Sequence, residues 1–270
     1  MNMTTWSLRR GLASLVVLAA MVGWPSVGAA QEKEEEASAE TIVERALEKN
    51  SMEFDSGSAQ MTLLIEDRNG DRSEREMVVK SREIDGAVRT LVELTNPEEL
   101  KGQSFLFAES DEGADDVWMY VPAFSVTRRI EGSKKQGAFL GSHFTYSDLE
   151  SRDVERADYE RKEDGTVGDN EVYVIEATPE ESVESEYGRV ELFIRKSDHV
   201  PLRFRFYDEE DEKVKTLFVR KLDETDEGRT YIKQMEMHAE KGGYTRLTIE
   251  GMNPGAEVPA SAFNKDQLGK

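Results

Sequence analysis

Few residues in this chain are suited to nucleophilic, acid–base or metal chemistry. The sequence has three histidines, His143, His199 and His238, and no cysteine. Without cysteine there is no disulfide, no thiolate nucleophile and no cysteine-ligated metal centre. No two of the histidines have the spacing of metal ligands on one helix or strand. The sequence therefore predicts neither a metal site nor a cofactor.

Ser142, His143 and Asp148 are close enough in the sequence to suggest a catalytic triad. Adjacent residues of an extended segment point in opposite directions, so Ser142 and His143 are poorly placed to share a proton. Pairs of carboxylates are uninformative in a chain that has 56 Asp and Glu residues. We therefore expect a protein that is not an enzyme, with a lipid-active hydrolase that uses Ser142 as an alternative.

The charge of the chain excludes further classes of function. Among 270 residues, 35 are basic and 56 are acidic, which gives a formal charge of −21. A nucleic-acid-binding protein needs a basic face against phosphate, and docking on anionic lipid uses clustered Lys and Arg. We therefore expect no nucleic-acid partner and only transient contact with a membrane.

The first thirty residues have the pattern of a secretory signal peptide. Arg9 and Arg10 precede an apolar run over residues 11–22, and small residues follow up to Ala30. The run is well short of the ~20 residues that span a bilayer, so we predict cleavage after Ala30 and an exported chain. Residues 31–37 then form a charged leader, and residues 38–270 form one domain.

One amphipathic helix precedes a long series of strand-like segments. Residues 38–49 have their apolar side chains at helical spacing, and Ser38 is suited to cap that helix. From Met61 onward the apolar residues recur with a period of two in about ten or eleven segments, separated by turns. Strands joined by short turns pair antiparallel, because a parallel return needs a long crossover. The pattern therefore predicts one large antiparallel sheet.

Most of these segments carry apolar side chains on one face and charged ones on the other. Phe204 and Phe206, for example, alternate with Arg203 and Arg205. An open sheet of about ten strands needs a partner to bury its apolar face, and the sequence offers one helix and a few turns. Two arrangements remain open: a barrel filled by its own side chains, or a partly open sheet around an apolar hollow that takes a ligand.

The candidates for lining such a hollow are large apolar side chains of the strands. They are Met61, Leu63, Phe105, Phe107, Trp118, Tyr120, Leu192, Phe204, Phe206, Met235 and Met237. The methionines suit a surface that adapts to varied apolar ligands, although filling gaps in an ordinary core explains them equally well. The inward face of each strand stays open, because a shift of one residue reverses every assignment on that strand.

A stretch from residue 118 to residue 149 carries the main cationic cluster of the chain and is unusually apolar for a loop. Its glycines favour mobility, and its cations stand out in an acidic chain. We expect it to act as a flap over a ligand that has a fatty part and an anionic head. The flap candidates are Arg128, Arg129, Phe139, Leu140, Phe144 and Tyr146.

Several stretches resemble the outer-membrane lipoprotein-sorting proteins, the LolA-like superfamily. They are residues 117–123, Arg128-Arg129-Ile130, Phe139-Leu140-Gly141-Ser142, and residues 144–149, 187–192, 206–208, 215–217 and 235–237. The resemblance spans about residues 41–263 in order, and Phe-Leu-Gly-Ser is its most specific part. His143 departs from it, since members of the family commonly have Asp there.

The resemblance implies an incomplete antiparallel barrel with helices over an apolar cavity, in the bacterial periplasm. With the pattern above, it predicts a mainly β (α+β) fold: a partly open barrel of about ten to eleven strands with an N-terminal helix and short lid helices.

The resemblance also implies a carrier that binds the acyl chains of a lipoprotein or another lipid and shuttles it toward the outer membrane, without catalysis. The partners it implies are an inner-membrane exporter of the RND/MMPL type or an outer-membrane acceptor. The alternative is a non-catalytic adaptor subunit of such an exporter, with its interior filled by side chains.

Overall fold

The computed structural model describes residues 37–50, 56–109, 115–149, 157–180, 185–225, 228 and 230–270. The predicted signal peptide and residues 31–36 of the predicted leader lie outside these ranges. In the part of the chain that is described, no helix is long and apolar enough to cross a membrane.

The described residues form one antiparallel sheet of fourteen strands. The strands are β1 (Ser56–Glu66), β2 (Arg72–Ile84), β3 (Ala87–Asn96), β4 (Ser104–Ala108), β5 (Asp116–Val121), β6 (Val126–Ile130), β7 (Ala157–Arg161), β8 (Gly165–Val167), β9 (Asn170–Pro179), β10 (Arg189–Arg195), β11 (Pro201–Tyr207), β12 (Lys213–Glu224), β13 (Thr230–Ala239) and β14 (Tyr244–Asn253). Their order is β6-β5-β4-β3-β2-β1-β14-β13-β12-β11-β10-β9-β7, and β8 pairs with β9 beside β7.

The pairing of β1 with β14 joins the two halves of the chain into one sheet. It sets Leu63 opposite Leu247, residues that are far apart in the sequence. Strands β6 and β7 stand at opposite ends of the strand order and do not pair with each other. The fold is therefore mainly β, as predicted, and its sheet is open.

The predicted count of ten or eleven strands is wrong, because three short polar strands escaped the pattern. Strands β6, β7 and β8 have three to five residues each, and all three lie at the edges of the sheet. Edge strands are often short and charged, which blocks pairing with other chains and also removes the apolar alternation that identifies a strand. Arg128 and Arg129, expected in the flap, belong to edge strand β6.

Helix α1 (Ala39–Asn50) is the one α-helix of the described residues. Its cap is as predicted: the Ser38 hydroxyl accepts a hydrogen bond from the Thr41 amide at 3.3 Å. Ile42, Val43 and Ala46 are buried, and the helix packs against β7, β9 and β13. Helix α1 thus covers part of one face of the sheet.

The two faces of the sheet have different cores. We call the face that carries α1 the inner face. Its single apolar cluster draws side chains from β1 to β6 and from β7 and β9 to β14, which requires the sheet to curve around it. The outer face has two smaller clusters. One of them, around Leu91 and Leu106, is covered by Val258, Phe263 and Leu268 of the C-terminal segment.

Candidate functional site

A small apolar cavity lies on the inner face of the sheet. Its volume is about 40 Å³. It is lined by Met61, Leu63, Met77, Val79, Thr90, Val92, Phe107, Phe139, Phe144, Leu149 and Leu247. This is room for a few atoms, whereas pockets that bind small molecules usually hold roughly 300 Å³ or more. The inner face is therefore largely filled in this structure.

The walls of the cavity come from cross-strand neighbours on four adjacent strands and β14. Met61 pairs with Met77, and Val79 pairs with Val92. Each of these side chains points inward because alternate residues of a strand share a face. The rigid sheet thus supplies most of the wall.

The remaining wall is supplied by a loop that crosses the inner face. We call residues 132–149 the flap. The flap contains three 3-10 turns, Gly132–Gln136, Phe139–Gly141 and Ser147–Leu149, and an isolated bridge between Ala138 and Thr145. The lid helices that were expected are not confirmed, because these turns have only three to five residues.

Three flap side chains enter the cavity, namely Phe139, Phe144 and Leu149. Phe144 is 2% exposed. The Phe139 ring contacts Phe105 at 5.0 Å and Phe107 at 6.3 Å between ring centroids, both edge to face. Offset and edge-to-face contacts of this kind stabilise aromatic clusters. The flap therefore fills with its own side chains the space that the sheet encloses.

One point of attachment holds the flap to strand β14. The amide of His143 donates a hydrogen bond to Thr245 Oγ1 at 2.9 Å, and His143 Nδ1 lies 2.8 Å from the same oxygen. A Cβ atom on Gly243 would lie 2.7 Å from His143 Nε2, so a glycine there allows the ring to approach. Burial lowers the pKa of His143.

A second point of attachment holds the end of the flap to strand β12. Lys215 Nζ lies 2.7 Å from Asp148 Oδ2, and both side chains are buried. The Tyr187 hydroxyl lies 2.8 Å from Asp148 Oδ1 and 2.7 Å from Glu186 Oε1. Burial, followed by the charges of Asp148 and Glu186, raises the pKa of Tyr187 well above its usual value. The network joins the flap to strand β12 and to the segment that precedes β10.

The residues predicted to line a hollow divide into three groups. Met61, Leu63 and Phe107 line the cavity. Phe105, Leu192, Phe204, Met235 and Met237 are buried in the same inner cluster, and Phe206 packs against it. Trp118 and Tyr120 lie on the outer face, where they pack against the C-terminal cluster.

The expected inward position of Trp118 and Tyr120 is therefore wrong. Strand β5 presents Val117 and Met119 to the inner cluster instead. The error is a register shift of one residue, which exchanges the two faces of a strand. Apolar residues on both faces of β5 gave no way to choose between them.

The predicted flap residues also divide. Phe139 and Phe144 are buried in the inner cluster, and Leu140 and Tyr146 pack against it. Arg128 is exposed on β6, and Arg129 pairs with Asp116 and Glu131. These two arginines are not part of the flap as it is formed here.

Six lining residues were not predicted: Met77, Val79, Thr90, Val92, Leu149 and Leu247. The alternation within β2 and β3 carries a signal for the first four of them. Leu149 and Leu247 needed the pairing of β1 with β14 and the path of the flap, neither of which short-range periodicity shows.

The suggested triad is not assembled. The Ser142 hydroxyl bonds to the main chain of Phe144, at 3.3 Å to its carbonyl and 3.1 Å from its amide. His143 Nδ1 is hydrogen-bonded to Thr245, and Asp148 is paired with Lys215. Each member is thus engaged elsewhere, and proton transfer requires a shared hydrogen bond. In the described ranges, no group of three or more His, Asp or Glu residues is placed to hold a metal ion.

The outer face carries a wider cleft of about 510 Å³ between β2–β5 and the C-terminal segment. Its lining includes Lys80, Glu93, Ser104 and Lys270. An alkyl chain would leave these polar groups without water, which is unfavourable. The small inner cavity is the better match to an apolar ligand.

The open, curved antiparallel sheet is the fold of LolA-like proteins, as comparisons of structure show. A domain named for outer membrane lipoprotein sorting, from Vibrio parahaemolyticus, is 26% identical, with a TM-score of 0.79, over 88% of this chain and 100% of its own. A DUF1329 family protein from Desulfovibrio piger is 25% identical, with a TM-score of 0.78, over 86% and 99%. A LolA superfamily protein from Nitrosomonas europaea shares the fold at 21% identity, with a TM-score of 0.68, over 86% and 100%.

The resemblance to outer-membrane lipoprotein-sorting proteins that the sequence suggested is thereby confirmed, and the fold is the one seen in the LolA superfamily. A family model that is described as an uncharacterized protein matches residues 86–270, and the chain belongs to that family. No curated protein sequence matches the chain.

Proposed function

We propose that this protein is a non-catalytic carrier that binds acyl chains of a lipoprotein or another lipid on the inner face of its sheet. The acyl chain enters when the flap moves outward, and the side chains that fill the cavity leave with it. The likeness to a lipoprotein-sorting domain supports this proposal.

The observation that carries the proposal is that the side chains closing the cavity come from a loop and not from the sheet. Its fixed walls belong to the sheet, whereas Phe139, Phe144 and Leu149 belong to a loop. A loop attached by a few polar contacts moves more readily than the strands, which are held by continuous backbone ladders. Outward movement of the flap therefore enlarges the cavity without unfolding the sheet.

The energetics suit reversible binding. Each buried methylene contributes about 0.8 kcal/mol, so a chain of about sixteen carbons offers on the order of 12 kcal/mol. Loss of rigid-body freedom and ordering of side chains oppose binding by several kcal/mol. Removal of flap side chains from the apolar cavity adds to that cost. The balance allows a lipid to be held and then released to a competing acceptor.

We place this carrier in the periplasm, because residues 1–30 have the pattern of a signal peptide. The formal charge of −21 disfavours lasting attachment to anionic membranes, as a shuttle toward the outer membrane requires. Its partners are then an exporter or other donor at the inner membrane and an acceptor at the outer membrane.

The test uses the chain without residues 1–30, purified gently from a bacterial host. Lipid that co-purifies is identified by mass spectrometry, and affinity is measured with a fluorescent fatty acid. Val79→Phe adds a ring to the cavity wall and should weaken probe binding. Val126→Phe, the same change on exposed edge strand β6, should leave it unchanged. No retained lipid together with no probe binding by the unmodified chain contradicts the proposal.

A second candidate function is a non-catalytic adaptor subunit of an inner-membrane exporter of the RND/MMPL type. The volume of about 40 Å³ favours it, because an adaptor needs no room for a guest. It predicts that the purified chain holds no lipid and that neither valine variant changes probe binding. The same experiment therefore separates the two candidates.

A further inference from the structure

The outer face of strands β10–β14 carries a row of aromatic and arginine side chains. Cross-strand pairing sets Phe193 opposite Arg203, Arg203 opposite Phe218, and Phe218 opposite Glu236. Arg246 on β14 follows Glu236 in the same row. This face is opposite the cavity, so its chemistry is separate from that of the inner face.

Three guanidinium groups and two phenyl rings alternate along this surface. Arg205 lies 4.6 Å and Arg203 lies 5.5 Å from the centre of the Phe193 ring. On the other side, Arg203 lies 5.3 Å and Arg220 lies 4.5 Å from the centre of the Phe218 ring. Arg203 is thus the central cation and contacts both rings.

The two outer arginines each have a carboxylate, and the central one has none. Arg205 bonds to Glu191 at 3.2 Å, and Arg220 bonds to Glu236 at 2.7 Å. No side-chain or main-chain oxygen of the described residues accepts a hydrogen bond from Arg203, and its Nε is buried without a partner. A buried donor without an acceptor is unfavourable by about 1–3 kcal/mol, and more when charged.

Neighbouring carboxylates are not available to Arg203. Glu236 already accepts hydrogen bonds from Arg246 at 2.8 Å and Arg220, and it lies 3.0 Å from His238 Nε2. Burial, and then the charges of Arg205 and Arg220, lower the pKa of Arg203, which agrees with a local excess of positive charge. The chain as a whole has a charge of −21, so this excess of positive charge is confined to the surroundings of Arg203.

We propose that Arg203 is the centre of an anion-binding site that takes a carboxylate carried on an apolar body. We infer a carboxylate because the arginines on either side of Arg203 both bind carboxylates. An arginine fork matches a carboxylate with two parallel hydrogen bonds. The half-buried Phe218 ring lies beside the guanidinium and offers contact to the apolar part of the ligand, while the buried Phe193 ring packs against the guanidinium from the other side.

The direct test follows the Arg203 side-chain resonance of the isotopically labelled chain by NMR. The probes are hydrocinnamate, its neutral amide, inorganic phosphate, and a short peptide with one Glu between two Phe residues beside its Gln counterpart. We expect both carboxylate probes to shift the Arg203 Nε–Hε signal and the amides of β10–β12. The tighter binder of the two carboxylate probes then separates an acidic partner protein from a small organic acid as the source of the carboxylate.

Variants then assign the effect to Arg203. R203M should weaken carboxylate binding by about tenfold or more, the equivalent of one charge-assisted pair. R128M removes the same charge from an exposed position on β6 and should leave the affinity unchanged. R203K, which keeps the charge and loses the fork, should bind at an intermediate strength, and it serves if R203M fails to fold.

Three results overturn the proposal. The first is that the Arg203 signal of the unmodified chain does not respond to either carboxylate. The second is that the neutral amide binds as tightly as hydrocinnamate. A phosphate affinity above that of the carboxylates overturns the assignment of the ligand class. A purely structural role for Arg203, in which it only packs between the rings, predicts the first of these results.

Discussion

Lys215 on strand β12 and Asp148 in the flap form an ion pair of 2.7 Å whose members are only 9% and 4% exposed. The pair joins the end of the flap to the sheet. The Tyr187 hydroxyl donates a hydrogen bond to the second carboxylate oxygen of Asp148. Polar contacts at His143 and at Asp148 thus help to hold the flap, with apolar side chains between them.

The buried pair should matter far more than an exposed one. Lys215→Met leaves the Asp148 carboxylate buried without its cation, which typically lowers the free energy of unfolding by about 3–5 kcal/mol. Lys101→Met removes a partner of Glu98 in a pair whose side chains are 58% and 83% exposed, and the loss should be below about 1 kcal/mol. Urea denaturation of both variants measures the difference, and equal losses contradict the structural role of the pair.

His143 should make stability depend on pH near neutrality. Burial lowers its pKa from 6.5 in the folded chain, so below about pH 6.5 the unfolded chain binds more protons and stability falls. The free energy of unfolding is compared at about pH 7.5 and about pH 5.5. The unmodified chain should lose more stability over this interval than His143→Gln. An equal loss in the two proteins shows that His143 does not titrate as described.

Glu236 should also make the protein less stable as the pH falls, but in a lower pH range than His143. Burial would raise its pKa, yet hydrogen bonds from His238, Arg246 and Arg220 outweigh burial and lower it from 4.5 to about 2. This contribution is present above about pH 4.5 and is lost as the pH falls toward 2, and it amounts to about 3 kcal/mol. Glu236→Gln should lack that loss and be less stable at neutral pH, whereas exposed Glu98→Gln should follow the unmodified chain. A Glu236→Gln profile parallel to that of the unmodified chain refutes the assignment.

Phe144 should have opposite effects on stability and on binding. Phe144→Ala removes a buried ring and should lower the free energy of unfolding by about 3–5 kcal/mol. The same change leaves less to displace from the cavity, so the affinity for a fluorescent fatty acid should rise. Phe124→Ala, at a position 73% exposed, is the control and should change neither quantity. A lower affinity of Phe144→Ala shows that the ring is a binding wall and not a plug.

The sequence predicted the central strands and α1 well because their signals are local. Alternation of apolar and charged residues identified most of the central strands, and Ser38 identified the start of the helix. The edge strands β6, β7 and β8 were missed because such strands have few apolar side chains to alternate. A strand is therefore recognised from its sequence when it lies in the middle of the sheet and is missed when it lies at an edge.

The site was only partly predictable, for a different reason. Phe139 and Phe144 were expected in a flap because apolar residues are unusual in a glycine-rich loop. Trp118 and Tyr120 were placed on the wrong face, since β5 has apolar residues on both faces and the C-terminal segment covers the outer one. Periodicity within a strand cannot show which face a distant segment covers.

The most direct test of the carrier proposal locks the flap against the sheet. His143 and Thr245 are in contact, since the His143 amide lies 2.9 Å from Thr245 Oγ1, and two cysteines placed there would form the only disulfide of a chain that has no cysteine of its own. Fatty-acid binding is measured for His143→Cys/Thr245→Cys before and after reduction, with Thr245→Cys alone as the control. We predict that the oxidised double variant binds no probe and that reduction restores binding. Equal binding by the oxidised and reduced forms would contradict entry of the ligand beneath the flap.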